Sequence, residues 1–316
     1  MNMFCVVAAI AFSMSTAPEV PPAAPAKAVA PAGGEAASKS ADSREPAVQM
    51  ASLRFRGVKD QVMRYRTHEE RVVEGLGPGK IETSIEVDYK FRVLSAGEAG
   101  WRVEMIYERV KGKNAQGGKA IVFDAGQGAA KVAPSPAQDI AVALVGKVFT
   151  LEVSPEGKVT KSTGPEVDVP KDPAFGELGS YASNERIARG TSGFFRAAGD
   201  APAQAKAGER WTYKSPHTTD VLGATLRSSD ACRVEKIVGD IAHVRAVTST
   251  KIENPEGGKA TVAMDRDREE FVARWDSAKG LLQSGVGDLD GSMTVTGPGG
   301  QMRIAMTGRI RVDRIE

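Results

Sequence analysis

"IETSIEVDYKFRV", residues Ile81–Val93, decides how the rest of the chain is read. Ile81, Thr83, Ile85, Val87, Tyr89, Phe91 and Val93 take every second position, and Glu82, Ser84, Glu86, Asp88, Lys90 and Arg92 take the others. Side chains of an extended strand point to opposite faces in turn, so this is the period of a half-buried strand and not of a helix. At ~3.3 Å per residue the stretch makes a strand of about 40 Å, long against the usual five or six residues (roughly 17–20 Å). One oily face and one wet face predict an antiparallel sheet covered on a single side.

The alternation continues outward in both directions. A strand over about 61–74 carries Met63, Tyr65, Thr67 and Val73 on one side, and "GLGPGK" (75–80) supplies the turn into Ile81. "SAGEAG" (95–100) turns the chain into Trp101, Val103, Met105 and Tyr107, and "KAIVFDA" follows the next Gly-Gly. Beyond residue 208, hairpins turn at Asp276–Gly280 and at Gly297–Gly300. In the last strand Met302, Ile304, Met306, Ile310 and Val312 alternate with Arg303, Ala305, Thr307, Arg309 and Arg311. Long hairpins in series predict a meander. "SPAQDIAVALVGK" (135–147) reads as a helix capped by Ser135, started by Pro136 and striped by Ile140, Leu144 and Val145. "NERIARGTSGFFRAAG" (184–199) reads as a poorer helix, interrupted by Gly190 and Gly193. Between the two helices, 164–180 is turn-rich and expected to be irregular.

The expected fold is therefore mainly β, with long antiparallel meander strands in two related halves, barrel-like or half-barrel, and one or two short helices between them. The halves are placed at 49–200 and 201–316. Their relation rests on 91–122 against 232–262, where Val93 falls on Val234, Val103 on Val244 and Val122 on Val262; Tyr213 is a looser counterpart of Tyr65.

Composition narrows the function classes. Lys and Arg number 42 against 40 acidic residues, so the net charge of +2 favours neither nucleic acid nor an anionic membrane. The 34 glycines and 6% aromatics suit a turn-rich β protein. The apolar run from Met3 to about Met14 is short of the ~20 residues a spanning helix needs, and it reads as the core of a secretory signal. Residues 1–17 are read as a signal peptide and 18–48, rich in Ala and Pro, as a disordered linker. Cys5 precedes the apolar run, where a lipid-attachment cysteine would follow it. Removal of the leader leaves Cys232 without a disulfide partner. The expected location is periplasmic or extracellular, with no transmembrane span in the mature form.

Several motifs fail on their chemistry. "HEE" at His68 lacks the second His of a zinc-protease helix, since position 72 is Val, and His68, His217 and His243 show no ligand spacing. "GLGPGK" has Ile81 where a phosphate loop needs Ser or Thr. "GDLDGS" (287–292) puts Val286 and Gly297 at ligand positions of a calcium loop. "GTSGF" at Gly190 lacks the second Gly of a nucleophile elbow. In "DRDREEF" (265–271) Asp267 and Glu269 share one strand face, a pairing a glycosidase could use. Arg266 and Arg268 interleave, so the stretch is read as a solvated or edge strand guarded by charge. No catalytic, cofactor-binding or metal-binding residue is assigned, and no cofactor is expected.

"LVGKVFTLEVSPEGKV" (144–159) resembles a motif of a bacterial extracytoplasmic family catalogued as a domain of unknown function. The pattern Gly-Lys-x-Phe-Thr-x-x-Val-Ser-Pro-x-Gly-Lys-Val is carried by Gly146, Lys147, Phe149, Thr150, Val153, Ser154, Pro155, Gly157, Lys158 and Val159. Pro202, Lys206, Gly208 and Trp211 resemble a second family segment, and the closing hairpins from Arg274 to Gly300 a third. The resemblance spans about 55–316 and implies a β fold and export; it transfers no catalytic residue. The chain is read as a non-enzymatic exported module for structure or interaction, its partner an envelope component. The alternatives are a carrier enclosing a lipid or other hydrophobic small molecule between curved sheets, and a hydrolase. Large side chains at Tyr89, Phe91, Trp101 and Tyr107 favour a filled interior.

Overall fold

Long strands dominate the computed structural model. It describes residues 49–316 apart from 77–78, 170–177, 179–180, 222–223 and 258–259, and the side chains of 215–221 and 228 are also outside it. The expected signal peptide and linker, and much of the irregular 164–180 stretch, lie outside the described residues. In chain order the elements are β1 (Met50–Ser52), β2 (Val62–Glu74), β3 (Ile81–Gly97), β4 (Gly100–Gln116), β5 (Lys119–Gly126), α1 (Pro136–Leu144), β6 (Val148–Val153) and β7 (Val159–Thr163). There follow α2 (Asn184–Thr191), a 3-10 turn (Ser192–Phe194), β8 (Gln204–Lys206), β9 (Arg210–Val221), β10 (Ala224–Val238), β11 (Ile241–Glu253), β12 (Thr261–Asp276), β13 (Leu281–Gly297) and β14 (Gly300–Arg314).

Twelve strands form one antiparallel sheet in the order β7-β6-β4-β3-β2-β14-β13-β12-β11-β10-β9, with β5 on β4 off this path. β1 and β8 pair separately. The halves meet where β2 pairs with β14, from Tyr65↔Arg314 to Glu74↔Ala305. β7 and β9 end the path, so the sheet is open and not a closed barrel. Curvature brings Phe91 and Met105 of the first half into one buried cluster with Val244 and Trp275 of the second. Among the described residues no helix is long and apolar enough to cross a membrane.

The strand that decided the reading has the expected faces. Ile85, Val87, Tyr89, Phe91 and Val93 are buried, while Ile81 and Thr83 nearer the turn are half-buried. Asp88 departs from the pattern: it points outward yet is buried, because Arg66 clasps it through two hydrogen bonds of 2.6 and 2.8 Å. In the motif segment, Phe149, Leu151 and Val153 point inward and Gly157 turns at φ +81° against the Phe195 carbonyl.

Both helices cover the first half. Ser135 Oγ accepts from Gln138 N at 3.2 Å, as a cap should. α1 buries Ala137, Ile140, Ala141 and Leu144, with Val145 just past its end and only half-buried. α2 stops at Thr191, short of the expected 184–199. Thr191 and Ser192 hydroxyls donate back to the Ile187 and Ala188 carbonyls at 2.6 and 3.0 Å, which loosens a helix at its end. The 3-10 turn then delivers Phe194 and Phe195 into the core.

Segment 49–57 straps one end of the sheet. Gln49 Nε2 donates to Gly239 O, Trp275 Nε1 to Ser52 O, Arg56 N to Gly280 O and Trp101 Nε1 to Gly57 O, at 2.7 to 3.3 Å. The strap thereby crosses from the β10–β11 turn to β4.

One expectation is corrected in part. "DRDREEF" lies on β12, where Glu269, Glu270 and Phe271 pair with both β11 and β13. Arg266, Asp267 and Arg268 pair with β13 alone, and Arg266 and Arg268 are exposed, so the solvated, edge-like character belongs to the first part of the stretch and not to its end. The related segments agree in part. Val93 pairs with Val103 and Val234 with Val244, all four are buried, and each ladder has a bulge immediately afterwards. Val122 is 47% exposed whereas Val262 is buried, because β5 turns Phe123 and not Val122 inward.

Candidate functional site

The inner face of the second half is interrupted by a polar band. At the strap end lies one apolar cluster; at the other end Val73, Leu76, Ala224, Leu226, Val262, Met293, Val295, Ile304 and Met306 form a second. Between them strand register places Glu69 and Arg71 on β2, Gly308 on β14, Leu289 and Gly291 on β13, Asp267 and Glu269 on β12, and Thr248 and Thr250 on β11. Asp230 on β10 faces Thr248.

Alternation accounts for the placement. Glu69 and Arg71 are in phase with Tyr65 and Val73, and Asp267 and Glu269 are in phase with Phe271 and Ala273. Each therefore shares the apolar side of its strand. Arg266 and Arg268 take the opposite phase and are exposed. Glycines open room on this face. The Phe271 ring lies across Gly285 and Gly287, and a Cβ on Gly287 would stand 2.8 Å from Ile310 Cγ2 and 2.9 Å from Phe271 Cδ2. A Cβ on Gly308 would press the Arg71 stem at 3.2 Å. A cavity of about 130 Å³ lies here, with Glu69, Arg71, Glu269, Phe271, Leu289 and Ile310 in its wall.

Charge in the band is only partly compensated. Arg71 forms an ion pair with Glu69, both side chains largely buried. Thr248 Oγ1 donates to Asp230 Oδ1 at 2.9 Å. The β11–β12 ladder runs from Ile241↔Asp276 to Thr248↔Glu269; beyond it, Thr250 N donates to the Asp267 carboxylate. Glu269 Oε2, Asp267 Oδ1 and Thr250 Oγ1 are buried without a hydrogen-bond partner. An unsatisfied buried polar atom costs ~1–3 kcal/mol, so three in one place call for an explanation.

Burial, then the nearby charges of Asp230 and Asp267, push the Glu269 carboxyl up to about 8, against the pull of Arg71. Burial pushes Asp267 up to about 6, while hydrogen bonding with Thr250 draws it down. A carboxyl held neutral near pH 7 both donates and accepts, and it takes on full charge when a cation or a strong donor arrives. The arrangement is suited to receiving a positively charged or donor-bearing group.

The other sequence motifs lie elsewhere. His68 is on the outer face, 3.1 Å from Glu70 and 3.8 Å from Glu86. "GDLDGS" is mid-strand in β13, and "GTSGF" spans the end of α2. The side chain of His217 lies outside the described residues. Among the described residues no three His, Cys, Asp or Glu side chains are grouped to hold a metal ion. Asp267 and Glu269 were legible as a pair; Glu69, Arg71, Asp230 and Thr250 were not singled out. Their signal was polar residues at positions in phase with an apolar face, facing a strand with Gly285, Gly287 and Gly291 on the same phase.

No family profile matches the sequence, and no curated protein matches it. Among solved structures, a lipovitellin chain ("Lipid-protein interactions in lipovitellin") is similar over 82% of this chain at 11% identity and a TM-score of 0.41. This chain covers 25% of that one. DynF from the dynemicin biosynthesis pathway of Micromonospora chersina matches over 85% of this chain and 86% of its own, at 9% identity and a TM-score of 0.20. A putative AttH from Nitrosomonas europaea matches over 78% and 92%, at 10% identity and a TM-score of 0.15.

Proposed function

We propose that the protein is an exported, non-catalytic binding module, and that the polar band of the second half holds its ligand. The ligand class is a small amine or similar cation with a short apolar body. One observation carries the reading: the buried, partnerless carboxylate oxygen of Glu269 stands in the wall of a glycine-opened cavity with Phe271, Leu289 and Ile310, and the partnerless oxygen of Asp267 lies two residues along the same strand face. A cation there would satisfy the carboxylates while its carbons meet the apolar wall. A space of about 130 Å³ matches a molecule near the size of benzene, since cavities of roughly 150 Å³ accept one. This narrows the carrier reading from a lipid to a small amphipathic ligand; pockets for drug-sized molecules run to roughly 300–1,000 Å³. Export rests on the Met3–Met14 run and on the resemblance of residues 144–159 to extracytoplasmic proteins.

The test uses n-butylamine, with n-butanol as its uncharged control, in saturation-transfer NMR at pH 8. Butylamine is expected to give a signal that butanol lacks and that Glu269→Gln abolishes. Equal signals from both, or a signal retained in Glu269→Gln, overturn the reading. Export is checked by locating the mature N-terminus in the native host by mass spectrometry; an intact Met1 rules it out.

A further inference from the structure

The outer face of the second half carries a row of directly opposed basic residues, which the net charge of +2 conceals. Arg233 of β10 lies directly opposite Arg210 on β9 and Arg245 on β11. Next to this row, Lys236, His243 and Arg274 line up across β10, β11 and β12. Neighbouring strands are ~4.8 Å apart, and like charges placed directly opposite one another cost stability. Arg210, Arg233, Lys236 and Arg274 are exposed and form no ion pair among the described residues. Burial first, then Lys236 and Arg274, push the His243 imidazole below its ordinary value.

Over the first row lies a groove of about 350 Å³, lined by Arg210, Arg233, Arg245, Thr212, Ala231 and Val247 among others. Arg245 is held by Glu270 at 2.6 Å and by Glu235, also in the groove wall, at 3.6 Å. Its Nε is buried without a partner. Three guanidinium forks on adjacent strands, at the ~4.8 Å strand spacing, are unfavourable among themselves and favourable around a multivalent anion.

We propose that the groove over Arg210, Arg233 and Arg245 binds a phosphate-bearing group. Glu235 competes with it for Arg245. The site is separate from the inner polar band, on the opposite face of the sheet, and does not depend on the amine reading.

The full chain is titrated calorimetrically with pyrophosphate, and its co-sedimentation is measured on phosphatidylcholine vesicles with and without phosphatidic acid. Arg233→Gln is expected to fold with unchanged or higher Tm and to weaken binding at least tenfold; Glu235→Gln is expected to strengthen it several-fold. Saturable pyrophosphate binding with this variant pattern assigns a free phosphate. Sedimentation only with phosphatidic acid, with the same pattern, assigns a lipid headgroup. Binding in neither arm, or binding that Arg233→Gln leaves unchanged, overturns the proposal.

Discussion

The two halves of the sheet use the same alternation, yet they fill their inner faces in different ways. In the first half rings meet rings. Phe91 lies 5.1 and 5.3 Å from Phe194 and Phe195, and Tyr89 lies 5.4 Å from Tyr107, centroid to centroid. Those partners come partly from outside the sheet, delivered by the 3-10 turn and flanked by α1 and the 49–57 strap. In the second half, β9 to β14 follow one another as hairpins with no helix between them. That inner face has to be filled by its own residues. It does so with aliphatic side chains and methionines at one end, Trp275 under the strap at the other, and glycines and carboxylates between. A half that imports its core sets ring against ring; a half that must supply its own retains a polar space.

The contrast breaks most visibly at Phe91. Phe91→Ala removes a fully buried ring from the imported core and is expected to cost ~3–5 kcal/mol in urea unfolding. A cost under about 1 kcal/mol would mean that the first half is as loosely filled as the second.

Glu269 sharpens the other side. Its folded pKa is raised from 4.5 to about 8, so between those values the folded chain keeps a proton that the unfolded chain has released. Stability therefore falls as pH rises through that window and levels off above it. Asp267, pushed up to about 6, adds to the fall in the lower part of the window. Glu269→Gln removes the Glu269 contribution. The variant is expected to be more stable than the parent at pH 8, by on the order of 3 kcal/mol, and to show a flatter profile from roughly pH 4.5 to 8. Parallel pH profiles for the two proteins would place Glu269 in water.

The smallest effect belongs to Gly287. Gly287→Ala sets a methyl group against Ile310 and Phe271 and is expected to cost about 1–3 kcal/mol by overpacking. It should also raise or lower the Glu269 titration midpoint, read by NMR, since the added methyl intrudes on the same cavity. A neutral substitution with an unchanged midpoint would separate the cavity from the carboxylate.

Much of this fold was legible in the chain. The faces of β3, the hairpin turns at Asp276–Gly280 and Gly297–Gly300, and the Ser135 cap all follow from residues close in sequence. The candidate site was half legible. Asp267 and Glu269 could be placed on one face, but charged neighbours on both sides made that face look wet. The same seven residues fit an edge strand and an interior one equally well, because alternation states that two faces differ and not which is covered.

Local periodicity thus determined that this chain forms long pleated strands, where they turn and where its short helices start. It could do so because a strand's two faces and a turn's backbone are set within a few residues. Tertiary structure alone decided which face of β12 is covered, that β2 closes onto β14, and that Glu69, Arg71 and Glu269 share one cavity. Those outcomes depend on register and curvature between segments some 200 residues apart in the chain, and no local pattern encodes a meeting at that distance.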